Sequence, residues 1–87
     1  MTSQSSQPES SLIQITTAEE LGSAARLVRK GQGITQEDMA AMLFKSHVLL
    51  RDIEKGTGTV SIGSVLLLLS ELGIHVYLDL PSGNTRQ

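Results

Sequence analysis

An all-α fold of four to five short helices, closed by one C-terminal β-strand, is what this chain of 87 residues predicts. Three observations carry that expectation. Residues suited to capping a helix start (Thr17, Thr35, Ser46 and Ser61) each precede apolar positions spaced three and four apart. Glycines stand where those stretches stop, at Gly31 and Gly33, at Gly56 and at Gly73. After Gly73 the apolar period changes from that of a helix to strict alternation, the pattern of a half-buried strand.

The first helix follows from Thr17 and Glu20, which have capping-box spacing, and from Leu21, Ala24, Ala25 and Val28 at helical spacing. It is expected to run to about Gln32, with Arg29 and Lys30 favourably placed at its negative end. Thr35 opens the second helix, where Glu37 and Asp38 suit the positive end of the dipole and Met39, Ala40 and Leu43 make a short apolar stripe. Ser46 caps a third helix with Leu50 and Ile53 inward, ending at Gly56. Ser61 caps a fourth, in which Ile62, Val65, Leu66, Leu69 and Leu72 form one face. Leu67 and Leu68 widen that face beyond what so small a monomer should cover. In residues 74–80, Ile74, Val76, Leu78 and Leu80 lie on one side of the expected strand and His75, Tyr77 and Asp79 on the other, with Pro81 ending it.

A lone strand needs a neighbour for its backbone hydrogen bonds. The simplest neighbour is the same strand of a second copy, since a two-fold axis makes antiparallel pairing self-complementary. Leu67, Leu68, Ile74, Val76, Tyr77, Leu78 and Leu80 are therefore the expected dimerisation residues. The alternative is that the strand folds back on residues 12–15. Residues 1–11, rich in Ser and Gln, are expected to be a disordered tail, residues 12–80 the folded domain, and residues 81–87 a polar tail.

Composition narrows the function. The length allows one domain with a modest core. With no cysteine, disulfides and thiolate chemistry are excluded. No secretory leader is evident, and the apolar run over residues 65–69 is far short of the ~20 residues that span a bilayer, so a cytoplasmic protein without membrane contact is expected. The net charge is −2, yet six of the seven basic residues (Arg26, Arg29, Lys30, Lys45, Arg51 and Lys55) lie in the middle of the chain beside only four acids, Glu37, Asp38, Asp52 and Glu54. Charge alone favours an ordinary solvated surface.

Residues 35–56 are more informative. Two short helices joined by a tight turn form a helix-turn-helix, with Ala40 small at the crossing and Leu43, Leu50 and Ile53 fixing the angle. The second helix of such a pair stands proud and can enter a major groove, and the helix starts at Gln36 and His47 offer backbone amides to phosphates.

On Thr35, Gln36, Glu37, Asp38, Met39 and Ala40, then Ser46, Leu50, Ile53, Glu54, Lys55 and Gly56, the sequence resembles the XRE (lambda-repressor-like, Cro/cI-type) helix-turn-helix family. Leu21, Gly22, Arg26, Leu27, Val28 and Arg29 upstream and Ser61, Ile62, Leu72 and Gly73 downstream extend the resemblance over residues 17–80. Within the family it looks most like the HipB-type antitoxins, in which a C-terminal strand pairs across the dimer. The resemblance implies a homodimeric repressor that binds double-stranded operator DNA, silences its own operon and binds a toxin, often a HipA-like kinase. By position it implies phosphate contacts from Gln36 and Ser46, base-edge contacts from His47, Val48, Arg51 and Asp52, and structural roles for Leu50, Ile53 and Glu54. Lys45 and Lys55 add phosphate contacts. Two positions depart from the pattern: Phe44 stands where the family has a turn glycine, and Lys45 where it has an apolar residue. Phe44 either takes positive φ or forces a remodelled turn. With Val48 and Leu49 on the reading helix, it motivates the alternative of a protein-interaction module that kept the fold.

Enzymatic signals fail. His47 and His75 have no cysteine partners, so a zinc site is not expected. Ser46 beside His47 is a helix cap rather than a catalytic pair. Gly31 and Gly33, or Gly56 and Gly58, lack the remaining residues of a nucleotide loop. One Phe and one Tyr are too few for base-stacking recognition of single strands. No enzyme activity, cofactor or metal is expected.

Overall fold

The computed structural model describes residues 11–83, so the expectations of disorder over residues 1–10 and of a polar tail over 84–87 lie outside the described residues. Four helices follow in order: α1 (Ala18–Gly31), α2 (Gln36–Leu43), α3 (His47–Lys55) and α4 (Ile62–Glu71). Each begins at the cap residue expected from the sequence. The hydroxyl oxygens of Thr17, Thr35, Ser46 and Ser61 accept from the amides of Glu20, Asp38, Leu49 and Ser64 at 3.0–3.1 Å. At Thr17 the capping box is complete. Glu20 accepts from the backbone amides of Thr16 and Thr17, and the Thr16 amide leads in holding its carboxyl below the usual range.

All four helices end alike. The amide one residue past a left-handed residue reaches back to a carbonyl five earlier: Ile34 to Arg29, Lys45 to Ala40, Thr57 to Asp52 and Ile74 to Leu69, at 2.8–3.3 Å. The left-handed residue is Gly33, Gly56 or Gly73 in three cases and Phe44 in the fourth. Phe44 takes the positive-φ alternative, at φ 56° and ψ 40°, while its ring is 94% exposed. Left-handed backbone costs a non-glycine residue about 1–2 kcal/mol, and an exposed ring recovers little of it. Phe44→Gly is therefore expected to raise stability by about 1 kcal/mol, or about 4–8 °C in melting temperature by circular dichroism.

The core is formed by Ala25 of α1, Met39, Ala40 and Leu43 of α2, Leu50 and Ile53 of α3, and Val65, Leu68, Leu69 and Leu72 in and after α4. Leu21, Val28, Ile34, Leu49, Val60 and Ile74 pack around it. The inward face of α4 thus differs from expectation. Leu68, expected on a dimer face, is 0% exposed in the chain's own core, whereas Ile62 and Leu66, expected inward, point out together with Leu67. A run of consecutive leucines carries no periodic signal to say which of them faces inward.

Gly22 lies buried where α1 crosses α3, its Cα facing the carbonyls of Ile53 and Glu54. Arg29 and Glu54 are likewise buried, at 6% and 5% exposure. Arg29, expected simply to complement the end of its helix, instead pairs bidentately with Glu54: Nε to Oε2 at 2.6 Å and Nη2 to Oε1 at 3.0 Å. Its Nη1 donates to the Ile34 carbonyl at 2.6 Å. This pair ties α1 to α3 behind the helix-turn-helix.

Residues 74–80 form no strand within the described residues, and no backbone hydrogen bond joins them to residues 12–15, so the fold-back alternative is not what the chain adopts. Ile74 is half-buried against the core, while Val76, Tyr77, Leu78 and Leu80 are exposed. One chain provides this segment with no neighbour to complete a ladder.

Candidate nucleic-acid interface

The outward stripe of α3 is set by its burial pattern. Leu50, Ile53 and Glu54 face inward, which leaves Val48, Arg51 and Lys55 on the outer side at helical spacing, with His47 exposed in the first turn on the flank beside Glu54. Lys45 precedes them in the exposed turn. Val48 is 52% exposed, so the stripe is a cationic ridge with one apolar contact near its start.

Gln36 opens α2 and His47 opens α3, and their side chains meet, with His47 Nε2 2.8 Å from Gln36 Oε1. The contact joins the two helix starts that the sequence marks as phosphate-facing. Their first-turn amides have no intrahelical acceptor by geometry, and both helix dipoles present their positive ends here. Ser46 uses its oxygen to cap α3, which leaves its hydroxyl proton to donate outward.

Behind the ridge, Gln36 Nε2 donates to Glu54 Oε1 at 2.9 Å. Burial alone would raise the Glu54 carboxyl. The hydrogen bonds from Arg29 and Gln36, with the charges of Arg29 and Arg26, outweigh that and hold it below the usual range. The ridge therefore rests on a fixed anionic anchor. Sequence reasoning assigned Glu54 a structural role but missed its partner. The available signal was an Arg at position 29 on the same face as Leu21 and Ala25, where an apolar residue would be expected.

Asp52 is placed differently from its neighbours. Its side chain is half-buried and lies against Gly58 in the loop before α4, with Arg51 Nε at a loose 4.0 Å. It borders the ridge rather than standing on it. Of the other residues expected at DNA, Gln36 and His47 meet directly, Val48, Arg51 and Lys55 share the outer face of α3, and Lys45 and Ser46 are exposed in the turn before it. Among the described residues, no group of three His, Cys, Asp or Glu side chains could hold a metal, and no helix is long and apolar enough to cross a membrane.

A helix-turn-helix family profile matches residues 26–78. An uncharacterized HTH-type transcriptional regulator, y4mF, from Sinorhizobium fredii (strain NBRC 101917 / NGR234) is 33% identical over 67 residues, covering 77% of this chain and 88% of that protein. The chain belongs to the XRE-type helix-turn-helix family. This XRE-type chain is thus placed among transcriptional regulators and not among enzymes. Solved structures share its fold. A chain of a HipA–HipB–O2–O3 complex superposes with a TM-score of 0.71 at 20% identity, covering 78% of this chain and 96% of that one. A chain of a HipB–O4 20mer complex gives 0.70 at 20% identity, covering 78% and 96%.

Proposed function

We propose that this XRE-type protein is a homodimeric repressor that reads double-stranded operator DNA with the outward stripe of α3. The observation that carries the reading is the coupled pair of helix starts, where Gln36 holds His47 at the head of a ridge formed by Val48, Arg51 and Lys55. Lys45, Ser46, Lys55 and the free amides at both helix starts serve phosphates, and Arg51 and Val48 serve base edges, with a guanine and a thymine methyl as their natural partners. Asp52, at the border of the ridge with its carboxylate beside Gly58, is the remaining base-edge candidate and can accept from a cytosine amine.

Binding to duplexes from the region upstream of its own gene tests the reading. Affinity is expected to fall steeply with salt, and Lys55→Ala to lower the salt slope by about 1 with weaker binding to all sequences. Arg51→Ala is expected to cost about 1–3 kcal/mol and to relax specificity at one base pair. If no salt-sensitive complex forms, the reading is wrong, and the exposed Phe44, Met42 and Val48 then favour a protein-binding module.

The dimer reading assigns Leu67, Ile74, Val76, Tyr77, Leu78 and Leu80 to the shared surface, where segment 74–80, exposed beyond the half-buried Ile74, gains its missing strand neighbour. Leu68 is omitted because it is spent in the chain's own core. Light scattering is expected to give a dimer, and Leu67→Glu with Leu78→Glu a folded monomer that binds DNA weakly. A native monomer at micromolar concentration would refute it. The half-sites of such a dimer lie roughly 34 Å apart. The same reading makes the protein the autoregulatory antitoxin of a HipA/HipB-like module. It is supported by the likeness to HipB, which one solved structure holds together with HipA. Co-purification with the product of the neighbouring gene tests it: a kinase-like partner supports it, and a neighbour that does not bind refutes it.

A further inference from the structure

The network behind His47 has a direction. Glu54 is buried and anionic, and a carboxylate only accepts hydrogen bonds. The Gln36 side chain must therefore turn its NH2 toward Glu54, at 2.9 Å, which leaves its oxygen facing His47 Nε2 at 2.8 Å. That oxygen can only accept, so Nε2 must carry a proton. In a neutral imidazole the other nitrogen, Nδ1, is then an acceptor. Nδ1 has no hydrogen-bond partner among the described residues, and His47 is exposed at the first position of α3, from which a recognition helix reaches base edges.

We infer that Gln36 is a positioning residue that fixes His47 as a hydrogen-bond acceptor, so that His47 selects a base carrying an exocyclic amine, adenine through N6 or cytosine through N4. The inference rests on the reading of α3 as the DNA-contacting helix. Guanine and thymine present O6 and O4 in place of the amine, and an acceptor facing either would meet a second acceptor. The buried Arg29–Glu54 pair thereby enters specificity: it sets the charge of Glu54, Glu54 orients the Gln36 amide, and that amide sets which imidazole nitrogen bears the proton.

The test uses the full chain at about pH 8. A pool of double-stranded oligonucleotides with a randomised core of about 20 base pairs, enough for two half-sites one turn apart, is selected by the wild-type protein. The base pair whose preference disappears in His47→Ala marks the contact. At that pair, replacing the exocyclic amine by hydrogen is expected to weaken wild-type binding about tenfold, and replacing a purine N7 by carbon to leave it unchanged. In Gln36→Ala the dependence on the amine is expected to vanish. The variant keeps the Arg29–Glu54 pair, and a thermal melt confirms its fold. Sensitivity to N7 instead of the amine overturns the inference. So does a Gln36→Ala protein that loses affinity equally for all sequences while the amine still matters, the behaviour of a phosphate contact alone. A pool that enriches no motif overturns the DNA reading and this inference with it. The two failures are told apart by nitrogen-15 correlation spectra of the free protein, in which the Nε2–H form of His47 is expected and the Nδ1–H form contradicts the inferred direction.

Discussion

Replacing Glu54 with glutamine is expected to destabilise the protein by about 3–5 kcal/mol, because it leaves the Arg29 guanidinium buried without a counter-charge. Against a total stability of about 5–15 kcal/mol for a small domain, that is a large fraction. A melting temperature lowered by more than about 10 °C in a circular dichroism melt is the expected readout. The charge pair itself is not expected to be worth that much. Removing both partners in Arg29→Met with Glu54→Leu restores most of the loss, since apolar packing replaces two desolvated charges. The pair also imposes a pH dependence. The folded-state value of Glu54 is depressed, so its contribution is complete above the unfolded value of about 4.3 and is lost as pH falls through the lower folded value. The wild type is expected to lose this stabilisation only below about pH 4.3, and the double variant is expected to lack that component of its acid transition.

Gly22→Ala is expected to cost about 3 kcal/mol, the reverse of what helix propensity alone would give. In an open helix position, alanine gains up to about 1 kcal/mol over glycine. At Gly22 an added Cβ runs into the carbonyl oxygens of Ile53 and Glu54. These are backbone atoms inside α3, and no rotamer change moves them aside. The crossing of α1 and α3 would have to widen, loosening the Arg29–Glu54 pair with it. Gly31→Ala is the internal control. It lies in the same helix with nothing within 4 Å of the added atom, so it is expected to leave stability unchanged or to raise it by up to about 1 kcal/mol. Urea denaturation of the two variants measures the contrast, and a Gly22→Ala protein as stable as Gly31→Ala would mean that the helices do not approach this closely.

The parts legible in the sequence were those set by local chemistry. Thr17, Thr35, Ser46 and Ser61 each announced a helix start because capping depends on a hydroxyl and an amide three residues on. Gly33, Gly56 and Gly73 announced stops because a left-handed residue favours glycine. Phe44 gave no such signal by its residue type, and only the resemblance marked its position as a turn. Long-range partners were not legible. Arg29 and Glu54 are separated by 25 positions, and only the crossing of α1 with α3 brings them together. That crossing in turn needs Gly22, which reads in isolation as a weak helix residue. In α4 the leucine run carried no phase, so nothing in it placed Leu68 inward. Of the candidate site, the stripe of Val48, Arg51 and Lys55 was legible from the inward positions of Leu50 and Ile53. The inclination of Asp52 toward Gly58 depends on the loop after α3 and had no sequence signal.

The most direct measurement is an amide and side-chain NMR titration of the labelled protein with a duplex selected from a random-sequence pool. Perturbations are expected to concentrate on Gln36, on residues 45–48 and on Arg51 and Lys55, and to fade as salt is raised. The outward residues of α4 (Ile62, Leu66 and Leu67) should change only where a dimer forms. Perturbations confined to Phe44 and Met42, or absent at low salt, would contradict the claim that the outward stripe of α3 reads DNA.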